Sequence, residues 1–444
     1  MRIVHVITRL ILGGAQENTL LTCREQARLG HDVTLLAGPP EGPEGSLVDA
    51  ARAMPIRFVL VPPLVRAVDP WHDLEAYLDL AKHFRDIHPD VVHTHSSKAG
   101  ILGRLAARRA GVRCIIHTIH GLPFDEYQGR AANGLYRALE RRASRWSHRL
   151  IAVSADMADR ARAAGLAPRG DIAVVYSALD TEQFRAAAGE RDAVRQAWGA
   201  GPDDFVLLKV ARLFPLKGHE FVLPAFAEVV RRHPRAVLVL AGDGILRSQL
   251  ESLAARLGLP AGRQAGGAGR VRFLGLLAPE EMPGALWAAD AVVHAGLREG
   301  LARVLPQAGL CEKPVVAYDI GGAREVVRDG ENGFLVPAPL PRDVARLPQR
   351  AVAEPAAAST GEKGGCPLCR LFGKGGRTLF RGDGPEKGTA PFSEAWRPLA
   401  EAMSRLAGDP AAARGMGRRW PAEVLARFDD RAATREIMKV YESV

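Results

Sequence analysis

Cysteine and aromatic residues are both scarce: the 444-residue chain has five cysteines, and Phe, Trp and Tyr together make up 6%. An odd number of cysteines scattered as Cys23, Cys114, Cys311, Cys366 and Cys369 excludes a disulfide framework. A reducing, cytoplasmic compartment is expected. No run reaches the ~18 apolar residues of a membrane span. The opening MRIVHVITRLILGGAQ makes a poor leader, because His5 and Arg9 interrupt it and no small-residue cleavage site follows. It reads as a first buried strand. What is plentiful is ordinary globular material, 47% hydrophobic and 25% charged, which excludes a wholly disordered or fibrous chain.

Charge is unbalanced, with 60 Lys and Arg against 50 Asp and Glu, a net of +10. That surplus fits nucleic acid, an anionic membrane or a phosphorylated substrate. Nucleic acid is the weakest of these, since basic and aromatic residues are not interleaved and no nucleic-acid motif is present. Much of the surplus is local. Residues 101–149 hold ten arginines against three acids, Asp125, Glu126 and Glu140. A helix is expected near 131–148, with Leu135, Leu139, Ala143 and Trp146 as an apolar stripe and Arg137, Arg141, Arg142 and Arg145 mostly off it.

Short apolar runs alternate with segments of helical period. RIVHVI, DVTLLAG, RFVLVP, DVVHTH, RCIIHTI and RLIAVS predict parallel strands covered on both faces by helices. After GERDAVRQAWGAGPDD the pattern restarts with FVLLKVAR, AVLVLAGDG, RVRFLGL, AVVHAG, PVVAYD and GFLVPA. The expected architecture is α/β, two Rossmann-like doubly wound domains facing across a cleft: 1–190, then 196–420. A C-terminal helix over 421–444 is expected to pack back toward the first domain. Residues 353–395 interrupt the second domain; nine glycines and four prolines without periodicity predict disorder there. The single Cys366-Pro-Leu-Cys369 in this tract is a weak zinc or redox signal, read as inert.

Several turns could carry chemistry. Gly13-Gly14-Ala15-Gln16 follows the first strand and opens a helix, where glycine permits close approach and the helix start favours anions. Arg212 and Lys217, five apart just past a strand, can converge on a diphosphate, one as a planar fork and one as a point charge. Gly242-Asp243-Gly244 shapes another strand-to-helix turn and reads as structural. Glu299 lies in the loop after AVVHAG; a helix is expected from about Ala302, with Gln307 one to two turns in. His93, His95, His117 and His120 fall at two neighbouring strand ends. No carboxylate or cysteine joins them at ligand spacing, so no metal is expected.

Taken together, GGAQ, VVHTHSSKAGILGRLAARRAG, HTIHGLPF, VARLFPLKG, AGDGILRSQLE, RFLGL, EGLARVLPQA and GGAREVV resemble the retaining nucleotide-sugar glycosyltransferases of family 4, which have the GT-B fold. The resemblance runs from residue 1 to about 337 and resumes near 396. It implies His120 and Glu299 as the catalytic residues. Gly14, Arg212, Lys217, Leu276, Ala302, Arg303 and Gln307 become the donor-binding set. Position 307 departs from the family, whose usual residue is a second Glu on the ribose; an amide keeps an acceptor but loses the charge.

The implied reaction moves a sugar from a nucleotide-diphosphate donor, UDP by default, to a lipid-linked or glycan acceptor of surface polysaccharide or glycolipid synthesis. Configuration is retained by front-face attack, with Glu299 orienting the sugar. The implied transferase needs no cofactor or metal and sits peripherally on the inner membrane face through the 101–149 patch. A nucleotide-sugar epimerase of the same fold and a degenerate transferase are the alternatives.

Overall fold

A computed structural model describes residues 1–42, 44–259, 270–341, 344 and 394–444. The Gly/Pro-rich tract, with Cys366 and Cys369, lies outside the described residues except for positions 394 and 395.

The first half runs β1 (Arg2–Ile7), α1 (Gly14–Arg28), β2 (Asp32–Ala37), α2 (Val48–Arg52), β3 (Arg57–Leu60), α3 (Pro70–Ile87), β4 (Val91–His95), α4 (Ser97–Arg109), β5 (Cys114–Ile119), α5 (Arg130–Ser144), β6 (Arg149–Ala152), α6 (Ala155–Ala163) and β7 (Ile172–Val174). The second contains α7 (Thr181–Ala186), α8 (Arg191–Ala197), β8 (Phe205–Val210), α9 (His219–Arg232), β9 (Ala236–Ala241), α10 (Arg247–Arg256), β10 (Val271–Gly275), α11 (Met282–Ala288), β11 (Ala291–His294), α12 (Val304–Leu310), β12 (Val315–Tyr318) and β13 (Gly333–Val336). Both doubly wound parallel sheets are present, in the orders β3-β2-β1-β4-β5-β6-β7 and β10-β9-β8-β11-β12-β13.

Strands such as VVHTH and AVLVLA are buried at every position because helices cover both faces. Each sheet reverses its winding once, between β1 and β4 and between β8 and β11. Ligands of open α/β sheets bind outside the strand ends at such switch points. The loops after β1, β8 and β11 therefore define the region where a site belongs.

Three local expectations need correction. The apolar stripe of α5 divides: Ala143 and Trp146 are buried, whereas Leu135 and Leu139 are 40% and 39% exposed. The helix instead turns Glu140 inward onto the buried Arg104 guanidinium at 2.8 Å. Removing either partner strands a charge in the core, at a cost of about 3–5 kcal/mol. The helix expected from Ala302 begins at Val304 and is only seven residues long.

The C-terminal helix is also broken. A short helix, Ala422–Leu425, leads through a 3₁₀ turn, Ala426–Phe428, to a helix over Asp430–Glu442. The interruption is tertiary: Leu179 N–H donates to the Phe428 carbonyl at 2.7 Å and the Leu179 carbonyl accepts from Asp430 N–H. The final helix packs Ile437, Met438, Val440 and Tyr441 against Ile3, Val91 and Ile116 of the first sheet.

Candidate active site

The glycine loop after β1 meets the second domain directly. Gly14 is the first residue of α1, and its carbonyl accepts from Arg303 Nη1 at 2.7 Å. Arg303 also lies 3.3 Å from the Glu17 carboxylate. A Cβ added to Gly14 would come 2.9 Å from Arg303 Cδ. Glycine thus lets this arginine reach across.

The loop after β8 is shaped by a close backbone approach that only glycine allows. Gly218 has φ 71°, and a Cβ there would stand 1.9 Å from the Ala295 carbonyl oxygen. This tight turn places Arg212 and Lys217 on one side of the cleft. Arg212 Nη1 donates to Glu44 Oε1 at 3.1 Å, and the buried Glu44 also faces Arg9 at 3.5 Å. Lys217 Nζ donates to Glu299 Oε1 at 2.6 Å.

The histidines sort by register. His5 pairs with His93 across β1 and β4, which puts His5, His93 and His95 on one face of the sheet. His117 pairs with Thr94, so it turns to the opposite face and bonds the Thr94 hydroxyl. His120, just past β5, rejoins the first group through His95 at 3.1 Å. The expected cluster therefore gains His5 and loses His117. One ring nitrogen from each of His5, His93 and His95 lies within 4.8 Å of the other two, and all six ring nitrogens already have a hydrogen-bond partner.

A cavity of about 680 Å³ opens between the two sheets. His120, Glu299, Gly14, Arg212, Lys217, Leu276, Ala302, Arg303 and Gln307 all line it. Gln307, on α12, is 7% exposed.

Residues 12–183 match the family model described as Glycosyltransferase Family 4, and residues 190–364 match that of Glycosyl transferases group 1. A D-inositol 3-phosphate glycosyltransferase of Rhodococcus opacus is 30% identical over 366 residues, covering 78% of this chain and 79% of the relative. A UDP-Gal:alpha-D-GlcNAc-diphosphoundecaprenol alpha-1,3-galactosyltransferase of Escherichia coli is 28% identical over 339 residues, covering 76% of this chain and 84% of the relative. Among solved structures, the Anabaena HepE protein in complex with UDP and glucose superposes with a TM-score of 0.73 over the whole of both chains at 21% identity. The chain belongs to the GT-B glycosyltransferases.

In this glycosyltransferase the cleft carries a graded field. Burial pushes the Glu299 carboxyl up, but Lys217, then His294, more than offset it, so the group ends below the usual carboxylate range. Behind it, Lys209 of β8 is fully buried, and its Nζ has no hydrogen-bond partner among the described residues. Burial, reinforced by Lys217, brings Lys209 down to about 7. His120 is pushed down to about 3 by burial and then by Arg303, so its imidazole is neutral.

Sequence reasoning missed the cross-cleft acids. Glu44 lies in a loop between β2 and α2, and Glu17 on α1 follows the glycines without any motif of its own. Their significance comes from partners 168 and 286 positions away, Arg212 and Arg303.

Proposed function

We propose that this glycosyltransferase transfers a sugar, with retention, from a UDP-sugar to a lipid-linked or glycan acceptor of cell-surface polysaccharide or glycolipid synthesis. One observation carries the reading: Arg212 and Lys217 share a cavity with Glu299 and His120. The bond from sugar C1 to the diphosphate oxygen breaks with its electron pair on the diphosphate, and the two cations oppose that growing charge. They supply the positive poles as side chains, so the reading calls for no metal or other cofactor.

An acceptor hydroxyl attacks C1 on the face the diphosphate leaves, and its proton passes to a departing phosphate oxygen. Glu299 orients the sugar. Gly14 and Arg303 border the donor, Leu276 and Ala302 flank it, and Gln307 accepts from the ribose hydroxyls. The UDP-galactose and lipid-diphosphate named for the Escherichia coli relative support this donor and acceptor class. The matched families and the two curated relatives described above are transferases, which leaves the epimerase alternative without support.

The enzyme is proposed to work on the cytoplasmic face of the membrane. Among the described residues no helix is long and apolar enough to cross one. The neighbouring helices α3, α4 and α5 instead expose Trp71, Leu74, Leu78, Leu135 and Leu139 together with Arg108, Arg142 and, just past the end of α5, Arg145. Exposed apolar side chains and arginines on adjoining helices suit an anionic lipid surface. The deciding experiment is a hydrolysis and thermal-shift screen against nucleotide sugars, with the anomeric configuration of the product read by NMR. One UDP-sugar stabilising the protein and giving a retained linkage supports the reading; no response to any nucleotide sugar, or an inverted product, overturns it.

A further inference from the structure

The histidines on the buried face of the first sheet form a directed chain. His5 Nε2 faces Gln26 Oε1 at 2.7 Å, His5 Nδ1 faces His95 Nε2 at 3.0 Å, and His95 Nδ1 faces His120 Nε2 at 3.1 Å. Gln26, His5 and His95 are almost wholly excluded from solvent. Burial holds all three imidazoles in the neutral form. A neutral imidazole has one N–H donor and one bare acceptor, so fixing one ring in such a chain fixes the next.

Gln26 supplies the starting direction. Its Nε2 lies 3.7 Å from Met438 Sδ and 3.2 Å from the Tyr441 hydroxyl, both on the final helix. A thioether sulfur can only accept, so the amide NH₂ belongs on that side and the amide oxygen on the side of His5. His5 must then donate from Nε2 and accept at Nδ1. His95 donates from Nε2 to His5 and accepts at Nδ1, which leaves His120 donating from Nε2. The side branch agrees. The Tyr441 hydroxyl accepts from Gln26 and donates to His93 Nδ1 at 2.6 Å, and His93 Nε2 donates to the Thr118 hydroxyl at 2.7 Å.

We propose that Gln26 is a positioning residue for the transfer reaction: acting through His5 and His95, it holds His120 as the Nε2–H tautomer, so that Nδ1 receives a ligand hydroxyl in the cleft as a bare acceptor. His120 Nδ1 has no partner among the described residues, and the residue lines the cavity. The opposite tautomer would present a donor there, and the same hydroxyl would have to accept from it, with its own proton turned elsewhere. This inference rests on the glycosyltransferase reading of the cleft, but its first test does not depend on activity.

Long-range ¹H–¹⁵N correlation of the imidazoles, on full-length protein labelled at histidine, reads the tautomers directly. His5, His95 and His120 are expected to carry the proton on Nε2 in the wild type. In Gln26→Leu, which has no acceptor for His5, His120 is expected to become a mixture of tautomers. Gln26→Glu keeps an acceptor oxygen and should restore the single form. In turnover, Gln26→Leu should lose roughly tenfold in kcat, with recovery in Gln26→Glu.

An Nδ1–H His120 in the wild type, or an unchanged tautomer in Gln26→Leu, overturns the relay. A shifted tautomer with unchanged kcat overturns its positioning role. If the tautomers are as stated but the wild type transfers no sugar, the functional reading fails and the relay stands.

Discussion

Lys217 and Glu299 meet at 2.6 Å between the loops that follow β8 and β11, the two strands flanking the switch point of the second sheet. The lysine holds the Glu299 carboxylate ionised. Without the ammonium, burial would carry the Glu299 carboxyl upward.

Lys217→Ala should therefore do two things. It removes a pole for the leaving diphosphate, with a fall in kcat of the order of a hundredfold, and Arg212→Ala should lose a similar amount. It also raises Glu299, so the acidic limb of the kcat/KM profile moves to higher pH. Measuring that profile in both variants separates the effects; only Lys217→Ala should shift the limb. Near wild-type turnover in both would sink the assignment of the diphosphate pair.

Lys209 links stability to pH. Its ammonium titrates near 7 in the folded protein, against 10.5 for the ordinary side chain. The unfolded chain thus binds more protons between those values, and stability climbs by roughly 1.4 kcal/mol per pH unit from about 7 toward 10.5. Below 7 the full penalty of the buried charge is present. Lys209→Met should flatten this slope and raise the melting temperature at pH 7. Urea unfolding from pH 6 to 10 checks both; parallel slopes in the two proteins would mean that Lys209 is hydrated or paired.

Gln307→Glu should leave donor affinity within a few-fold of wild type, because the ribose hydroxyls need an acceptor at this position and a carboxylate supplies one. Calorimetric titration with the donor identified in the screen gives the answer. A large loss would remove Gln307 from the ribose site.

Membrane attachment is tested by flotation with vesicles containing anionic lipid. Replacing Arg108, Arg142 and Arg145 by alanine should weaken binding roughly a hundredfold, with transfer to a soluble acceptor unchanged. Equal flotation of both proteins would place the contact elsewhere.

Periodicity made most of the fold legible. Strands such as RIVHVI and AVLVLAG are apolar because both faces are covered, so they show themselves as runs; β7, only Ile172–Val174, is too short to do so. The cleft was readable for a related reason. Ligand loops of doubly wound sheets follow strand ends, and Gly14, Arg212 and Glu299 each stand just past one.

The sequence by itself determined the two parallel sheets, the loops that border the cleft and the residue types available there, because local patterning and strand order carry that information. Tertiary structure alone decided the pairings. Register put His5 into the histidine chain and sent His117 to the opposite face. The buried Arg104 drew Glu140 inward and turned the leucines of α5 outward. Leu179 broke the C-terminal helix at Asp429, and Glu44 found Arg212 across the cleft. Each of these joins residues far apart in the chain, and a buried charge or backbone group takes the partner that the fold places within reach, whatever its distance in sequence.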